Sequence, residues 1–213
     1  MLKSVFAGLV DLLAPPTCSA CDKPVEARDS AFCLACEACL ERVLAIDEPN
    51  TRALYSYGGP VADAVWRLKY EGRSEIARVF RAALCLEAAR WHGQIDGVTS
   101  VPVAAQKLRA RGYNQSALLA HEVARGLGLA FRPRWLVRKH AGARQVGKNR
   151  ELRLSQLQGM FESPAALGDK TVLVVDDVRT TGATLREAAR ALEAAGAKSV
   201  LKLVLAQADR TTR

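Results

Sequence analysis

The segment Val172–Leu185, VLVVDDVRTTGATL, constrains the fold of this chain more than any other. Val172-Leu173-Val174-Val175 is an unbroken apolar run, three of its residues β-branched, and suits a central parallel strand buried on both faces. Asp176 and Asp177 come next. A buried strand has no natural place for two acids, so they are expected at its carboxyl end, where open α/β sheets hold their ligands. Thr180-Thr181-Gly182-Ala183-Thr184 forms a loop of small residues, and a helix then begins with Leu185, Ala188, Ala189, Leu192 and Ala195 on one face. Gly196 ends that helix, and Val200–Leu205 returns as a second strand.

The chemistry follows from this order of elements. Backbone N–H groups at a helix start lack acceptors, and the dipole there favours an anion. Gly182 lets a phosphate approach the backbone closely, and the threonine hydroxyls add donors. Carboxylates grip phosphate poorly but accept hydrogen bonds from adjacent hydroxyls. The combination points to a ligand that carries a phosphate and a diol. The plainer alternative is an acidic turn followed by a capped helix, since Thr and Asp both serve as caps. Two acids, three threonines and a glycine exceed what capping requires.

The rest of the chain divides into a leading segment with a cysteine cluster, residues 1–48, and a larger α/β unit, residues 49–213. In the latter an extended stretch reaches Tyr57 and a helix starts near Val61. A second helix is expected from about Glu75 to Trp91, a strand over Asp96–Val103, and a helix over Asn114–Gly126 stopped by Gly126 and Gly128. Alternating strands and helices predict a mostly parallel sheet flanked by helices. Met1–Ala14 carries Leu2, Val5, Phe6, Leu9, Leu12 and Leu13 at helical spacing, and reads as an amphipathic helix rather than a signal peptide because Asp11 interrupts the apolar stretch. No run is long enough to span a membrane, and a cytoplasmic protein is expected.

A net charge of +9 favours an anionic partner, whether a phosphate-rich small molecule, nucleic acid or an acidic protein. Arg134–Arg153 holds seven Lys or Arg against one Glu and no apolar periodicity, and reads as a loop. Five of the six cysteines lie between Cys18 and Cys39. Cys18-x-x-Cys21 followed by Cys33-x-x-Cys36-x-x-Cys39 can close a tetrahedral Cys₄ zinc site of structural type, with two of the last three cysteines completing it. Cys85 reads as ordinary packing. His92, His121 and His140 read as surface or packing residues, and no catalytic residue can be named.

VLVVDDVRTTGATL resembles the phosphoribosyl pyrophosphate signature of type I phosphoribosyltransferases, and the chain as a whole resembles the ComF family, which includes GntX-type proteins. The resemblance implies a type I phosphoribosyltransferase-like fold with an N-terminal Cys₄ zinc-binding module. It implies that Asp176 and Asp177 contact ribose hydroxyls and that Thr180, Thr181, Gly182, Ala183 and Thr184 wrap the 5-phosphate. Arg111 to Gln115 matches the family's RG-aromatic-NQ core, which puts a pyrophosphate loop at Val103, Ala104, Ala105, Gln106 and Lys107. The basic loop is similar to one that closes over pyrophosphate, with Lys139, Arg144, Gln145 and Arg150 as candidate contacts; Gln156 stands where the family usually has Asn. Phe32 before the second cysteine pair favours Cys33 and Cys36 as ligands, with Cys36 and Cys39 the alternative. The expected cofactors are structural Zn²⁺, and Mg²⁺ accompanying phosphoribosyl pyrophosphate. Two functions are implied: transfer of phosphoribosyl to a nitrogenous acceptor, or binding of phosphoribosyl pyrophosphate or a nucleoside monophosphate by a non-enzymatic module. That module would act in DNA uptake or recombination through protein or single-stranded DNA contacts.

Overall fold

The computed structural model describes residues 15–139 and 159–208. Its elements in chain order are α1 (Leu34–Glu37), β1 (Thr51–Ser56), α2 (Gly59–Tyr70), α3 (Ile76–Val79), α4 (Arg81–Ala88), β2 (Gly97–Ser100), α5 (Ala105–Arg111), α6 (Gln115–Leu127), β3 (Val137–Arg138), β4 (Phe161–Glu162), β5 (Thr171–Arg179), α7 (Ala183–Glu193) and β6 (Ser199–Gln207). Four strands form a parallel sheet in the order β1–β6–β5–β2, and β3 and β4 make a small antiparallel pair.

The apolar run in β5 explains the layering. Leu173 and Val175 face a core shared with α2, α3, α4 and α6, whereas Val172 and Val174 face one built with Leu185, Ala188 and Leu192 of α7 and Phe161 of β4. All four are fully buried, as expected of a strand covered on both sides. The outer strands are not left open: Arg42 pairs antiparallel with Tyr55 along β1, and Phe131 bridges to Val98 along β2. Such contacts shorten the unpaired edges that invite association.

The cysteine-bearing segment is seated on this core. Phe32 lies edge-on to Phe80 at 5.6 Å and to Tyr55 at 6.4 Å, and Cys18 and Ala20 are buried with them. Asp22 accepts from Arg67 at 2.5 Å and from Arg73 at 2.8 Å, fixing the segment to α2 and to the turn that follows it.

Several boundaries differ from those expected. The helix anticipated over Glu75–Trp91 is divided into α3, α4 and a 3₁₀ turn at Ala89–Trp91. The strand anticipated over Asp96–Val103 is only Gly97–Ser100. Gly126 lies inside α6 rather than stopping it, and Cys85 Sγ occupies the space that a side chain there would need. Gly128, left-handed at φ +68°, caps it instead. Met1–Ala14 lies outside the described residues. No helix among the described residues is long and apolar enough to cross a membrane.

Candidate functional site

β5 continues through Asp176 and Asp177 to Arg179, so the acids lie within the strand rather than just past it. They are 8% and 5% exposed. The strand tolerates them because each has partners. Asp176 Oδ1 accepts from Ser116 Oγ at 2.6 Å and from the Asp177 N–H at 3.0 Å. Asp177 Oδ1 accepts from the Val178 N–H at 2.7 Å, and its Oδ2 lies 2.6 Å from Lys69 Nζ. Burial, reinforced by the charge of Asp177, pushes the Asp176 carboxyl up to about 7, although Ser116 and the Asp177 N–H pull against this.

The Arg-Gly-Tyr-Asn-Gln segment braces the same region. Asn114 caps α6 by accepting from the Ser116 N–H at 3.0 Å, and its Nδ2 donates to Val101 O at 2.9 Å. Tyr113 Oη donates to Leu68 O at 2.5 Å, and Arg111 donates to Gln115. These contacts set Ser116 under Asp176 and hold the end of α2, with Lys69, beside Asp177. Neither Ser116 nor Lys69 was singled out from the sequence. Only the Asn114 cap, which marks where the helix begins, hinted that Ser116 would lie in a first turn.

Thr180 and Thr181 are exposed, and Gly182 is the N-cap of α7 at φ +75°, a conformation that favours glycine. Thr181 Oγ1 accepts from the Ala183 N–H at 3.4 Å. The first turn of α7, with Ala183 and Thr184, supplies further N–H groups that have no intrahelical acceptor. Ser100 pairs with Val175 in parallel register, so the turn after β2 emerges at the same edge of the sheet as the acids and this loop. Within that turn Val103 and Ala104 are extended or partly buried, whereas Ala105, Gln106 and Lys107 form the exposed first turn of α5. Lys139 lies just after β3 and pairs with Glu162 at 3.4 Å. Arg144, Gln145, Arg150 and Gln156 lie outside the described residues, as does His140. His121 packs edge-on to Phe131. A cleft of 660 Å³ between Arg42–Leu44, β1 and α4 shares no residue with the strand-end site.

The cysteines form a second candidate centre. The sulfurs of Cys18, Cys21, Cys33 and Cys36 all lie within 4.8 Å of one another, with Cys21 3.7 Å from Cys33 and 3.6 Å from Cys36. A tetrahedral Zn–S₄ centre with bonds of about 2.3 Å places its sulfurs about 3.8 Å apart, so this set fits zinc. Cys39 is turned away, its Sγ 3.4 Å from Ala35 O. Burial works against ionisation of Cys18, but the N–H groups of Cys33, Ala20 and Cys21 lower its thiol to about 7; burial and the neighbouring sulfurs push Cys36 up.

Residues 114–213 match the model of the phosphoribosyl transferase domain. The chain is 33% identical over 202 residues to the DNA utilization protein YhgH of Salmonella typhimurium, covering 86% of each. It is 26% identical to the competence protein ComFC of Streptococcus pneumoniae, covering 81% of this chain and 86% of that one. Among solved structures, a glutamine phosphoribosylpyrophosphate amidotransferase from B. subtilis aligns at 20% identity with a TM-score of 0.46, covering 65% of this chain and 30% of the larger enzyme. A hypoxanthine phosphoribosyltransferase from Staphylococcus aureus aligns at 13% identity and a TM-score of 0.40, covering 68% and 70%.

Proposed function

The chain belongs to the ComF family of the type I phosphoribosyltransferase superfamily, and from that premise we propose that it binds phosphoribosyl pyrophosphate at the carboxyl edge of its sheet. One observation carries the reading: two buried, partnered acids and a glycine-capped helix start follow one another at the end of a central strand. Asp176 and Asp177 take the ribose hydroxyls, and Thr180–Thr184 takes the 5-phosphate. The pyrophosphate faces the turn Val103–Lys107, with Lys139, Arg144, Gln145 and Arg150 as further contacts.

The residues present fit the two implied ions. Asp176 and Asp177 offer the oxygen donors that Mg²⁺ prefers, and the ion would lend the pyrophosphate charge stabilisation when it departs. Cys18, Cys21, Cys33 and Cys36 would hold structural Zn²⁺ in a closed shell that ties the N-terminal segment together. For catalysis, the residues of this chain fix the sugar by its diol and its phosphate, so that a nitrogenous acceptor meets C1 in one orientation. Basic groups beside the turn after β2 steady the charge that develops on the leaving pyrophosphate.

A second reading, a binding module that acts in DNA uptake without turnover, draws on a specific surface. Trp66 and Tyr70 are 52% and 65% exposed, lie 5.9 Å apart one helical turn from each other, and Arg111 covers the Tyr70 ring at 5.2 Å. Aromatic platforms flanked by arginine accept unpaired bases by stacking. The names of the relatives, DNA utilization protein and competence protein, accord with it.

Calorimetry with phosphoribosyl pyrophosphate and Mg²⁺ tests the binding site, and an assay for released pyrophosphate with candidate bases separates the two readings. Turnover supports the enzyme. Binding without turnover, together with salt-sensitive affinity for single-stranded DNA that Trp66→Ala weakens, supports the module.

A further inference from the structure

Beside the loop assigned above to the 5-phosphate lies a charge cluster that this assignment leaves unused. Glu48, in the segment leading into β1, meets three cations: Arg179 Nη2 at 2.6 Å, Lys202 Nζ at 2.8 Å and Arg186 Nη1 at 3.0 Å. The side chains of Glu48, Arg179 and Lys202 are 10%, 11% and 9% exposed, whereas Arg186 is half exposed. Three cations against one carboxylate leave a surplus of two positive charges, one in a largely enclosed place and one on the half-exposed Arg186. Unbalanced charge in such a place is unfavourable until an anion joins it.

The two arginines are also turned toward the loop. A methyl group on Gly182 would lie 2.7 Å from Arg179 Nε and 2.9 Å from Arg186 Nη1. Arg179 Nε is enclosed and donates to no acceptor among the described residues. Arg179 Nη1 is spent on Gln207 Oε1 at 2.6 Å, and Nη2 on Glu48, so the guanidinium is held by two acceptors with its remaining edge at Gly182. The same glycine caps the start of α7, an eleven-residue helix whose dipole adds to the field at that point.

We propose that Glu48 is a positioning residue that holds Arg179 and Arg186 against the phosphate loop, and that this arginine pair selects a dianionic phosphate monoester. The inference rests on the reading of Thr180–Thr184 as a phosphate cradle and adds what tunes it. A phosphate monoester carries close to two negative charges at neutral pH, which matches the surplus. A sulfate monoester of the same shape carries one and leaves the cluster unbalanced.

The test is calorimetry of the full chain with ribose 5-phosphate and ribose 5-sulfate, on wild type, Arg186→Gln and Glu48→Gln. Wild type is expected to bind the phosphate at least about tenfold more tightly than the sulfate. Each variant is expected to lose about tenfold in affinity for the phosphate and much less for the sulfate, with the melting midpoint of Arg186→Gln unchanged. Glu48→Gln discriminates by sign: removing a negative charge near the anion would tighten binding if Glu48 acted only through its charge, and weakens it if Glu48 orients the arginines. Tightening in that variant, or unaltered phosphate affinity in Arg186→Gln, overturns the inference. The half-exposed Arg186 carries the test alone if Glu48→Gln does not fold. A wild-type chain that binds neither ribose 5-phosphate nor phosphoribosyl pyrophosphate takes down the reading of the cradle as well, whereas wild-type binding with unaltered variants takes down only the role of the cluster.

Discussion

Lys69 Nζ lies 2.6 Å from Asp177 Oδ2, joining the last turn of α2 to the end of the central strand. The pair is mostly buried, with the lysine side chain 20% and the aspartate side chain 6% exposed. Asp176, its neighbour, is held from a different helix by Ser116. Adjacent acids in one strand are thus anchored to two separate helices, so the geometry of the acid pair depends on how α2 and α6 pack on the sheet.

Replacing Lys69 by Met should therefore do more than remove a surface charge. Asp177 would keep a buried carboxylate without its cation, and the chain should lose about 2 kcal/mol of stability, below the usual cost of breaking a fully buried pair because Lys69 retains some exposure. Urea unfolding with an unchanged slope measures this. A loss within error of zero would mean that solvent already balances Asp177.

The double change Asp176→Asn and Asp177→Asn should reduce affinity for phosphoribosyl pyrophosphate by at least about tenfold, since charged acceptors for the diol are lost while the shape is kept. Calorimetry beside a circular dichroism spectrum separates lost binding from lost fold. Unchanged affinity would count against the ribose assignment.

Asp176 alone should show a pH signature. Its folded pKa is raised to about 7 by burial and by Asp177, above the usual carboxyl value. The folded chain therefore holds a proton there that the unfolded chain releases, and stability falls as pH rises from about 4 to about 7. Asp176→Asn should abolish that decline. It should raise the melting midpoint at pH 8, with the gain shrinking as the pH falls and vanishing near pH 4. A gain of equal size at both pH values would contradict the assigned titration.

At the cysteine centre, protein purified without chelators should contain about one zinc per chain by elemental analysis. Cys36→Ser should lose the metal and melt at lower temperature, since its sulfur lies 3.6 Å from that of Cys21. Cys39→Ser should retain the metal, because Cys39 is turned toward Ala35 O. The opposite pattern would exchange the roles of the two cysteines.

Gly182→Ala should weaken phosphate binding and destabilise the chain by about 1–2 kcal/mol. The left-handed φ of +75° strains any side chain, and the added methyl would push into Arg179 and Arg186. Chemical denaturation measures the stability cost, and titration with ribose 5-phosphate measures the binding loss.

Much of this was legible in the sequence because it depends on neighbours along the chain. Val172–Val175 announce a strand buried on two faces, Thr180–Thr184 a loop of small residues before a helix, and the cysteine pairs a metal-binding spacing, all through local sterics and periodicity. The limits of that reading are equally specific. Strand termination was expected at Val175 because buried acids need partners, and the partners, Ser116 and Lys69, come from helices distant in sequence. Cys33, Cys36 and Cys39 are equally spaced, so only the folded turn of α1 decides which sulfurs meet Cys18 and Cys21. Glu48 carries no motif at all; its encounter with Arg179, Arg186 and Lys202 arises where the entry to β1, the end of β5, the start of α7 and the middle of β6 converge. Local order along the chain determined which elements form and which chemistry they can hold. Tertiary packing alone decided which charges are paired, because pair energies depend on distances and burial that no linear spacing encodes.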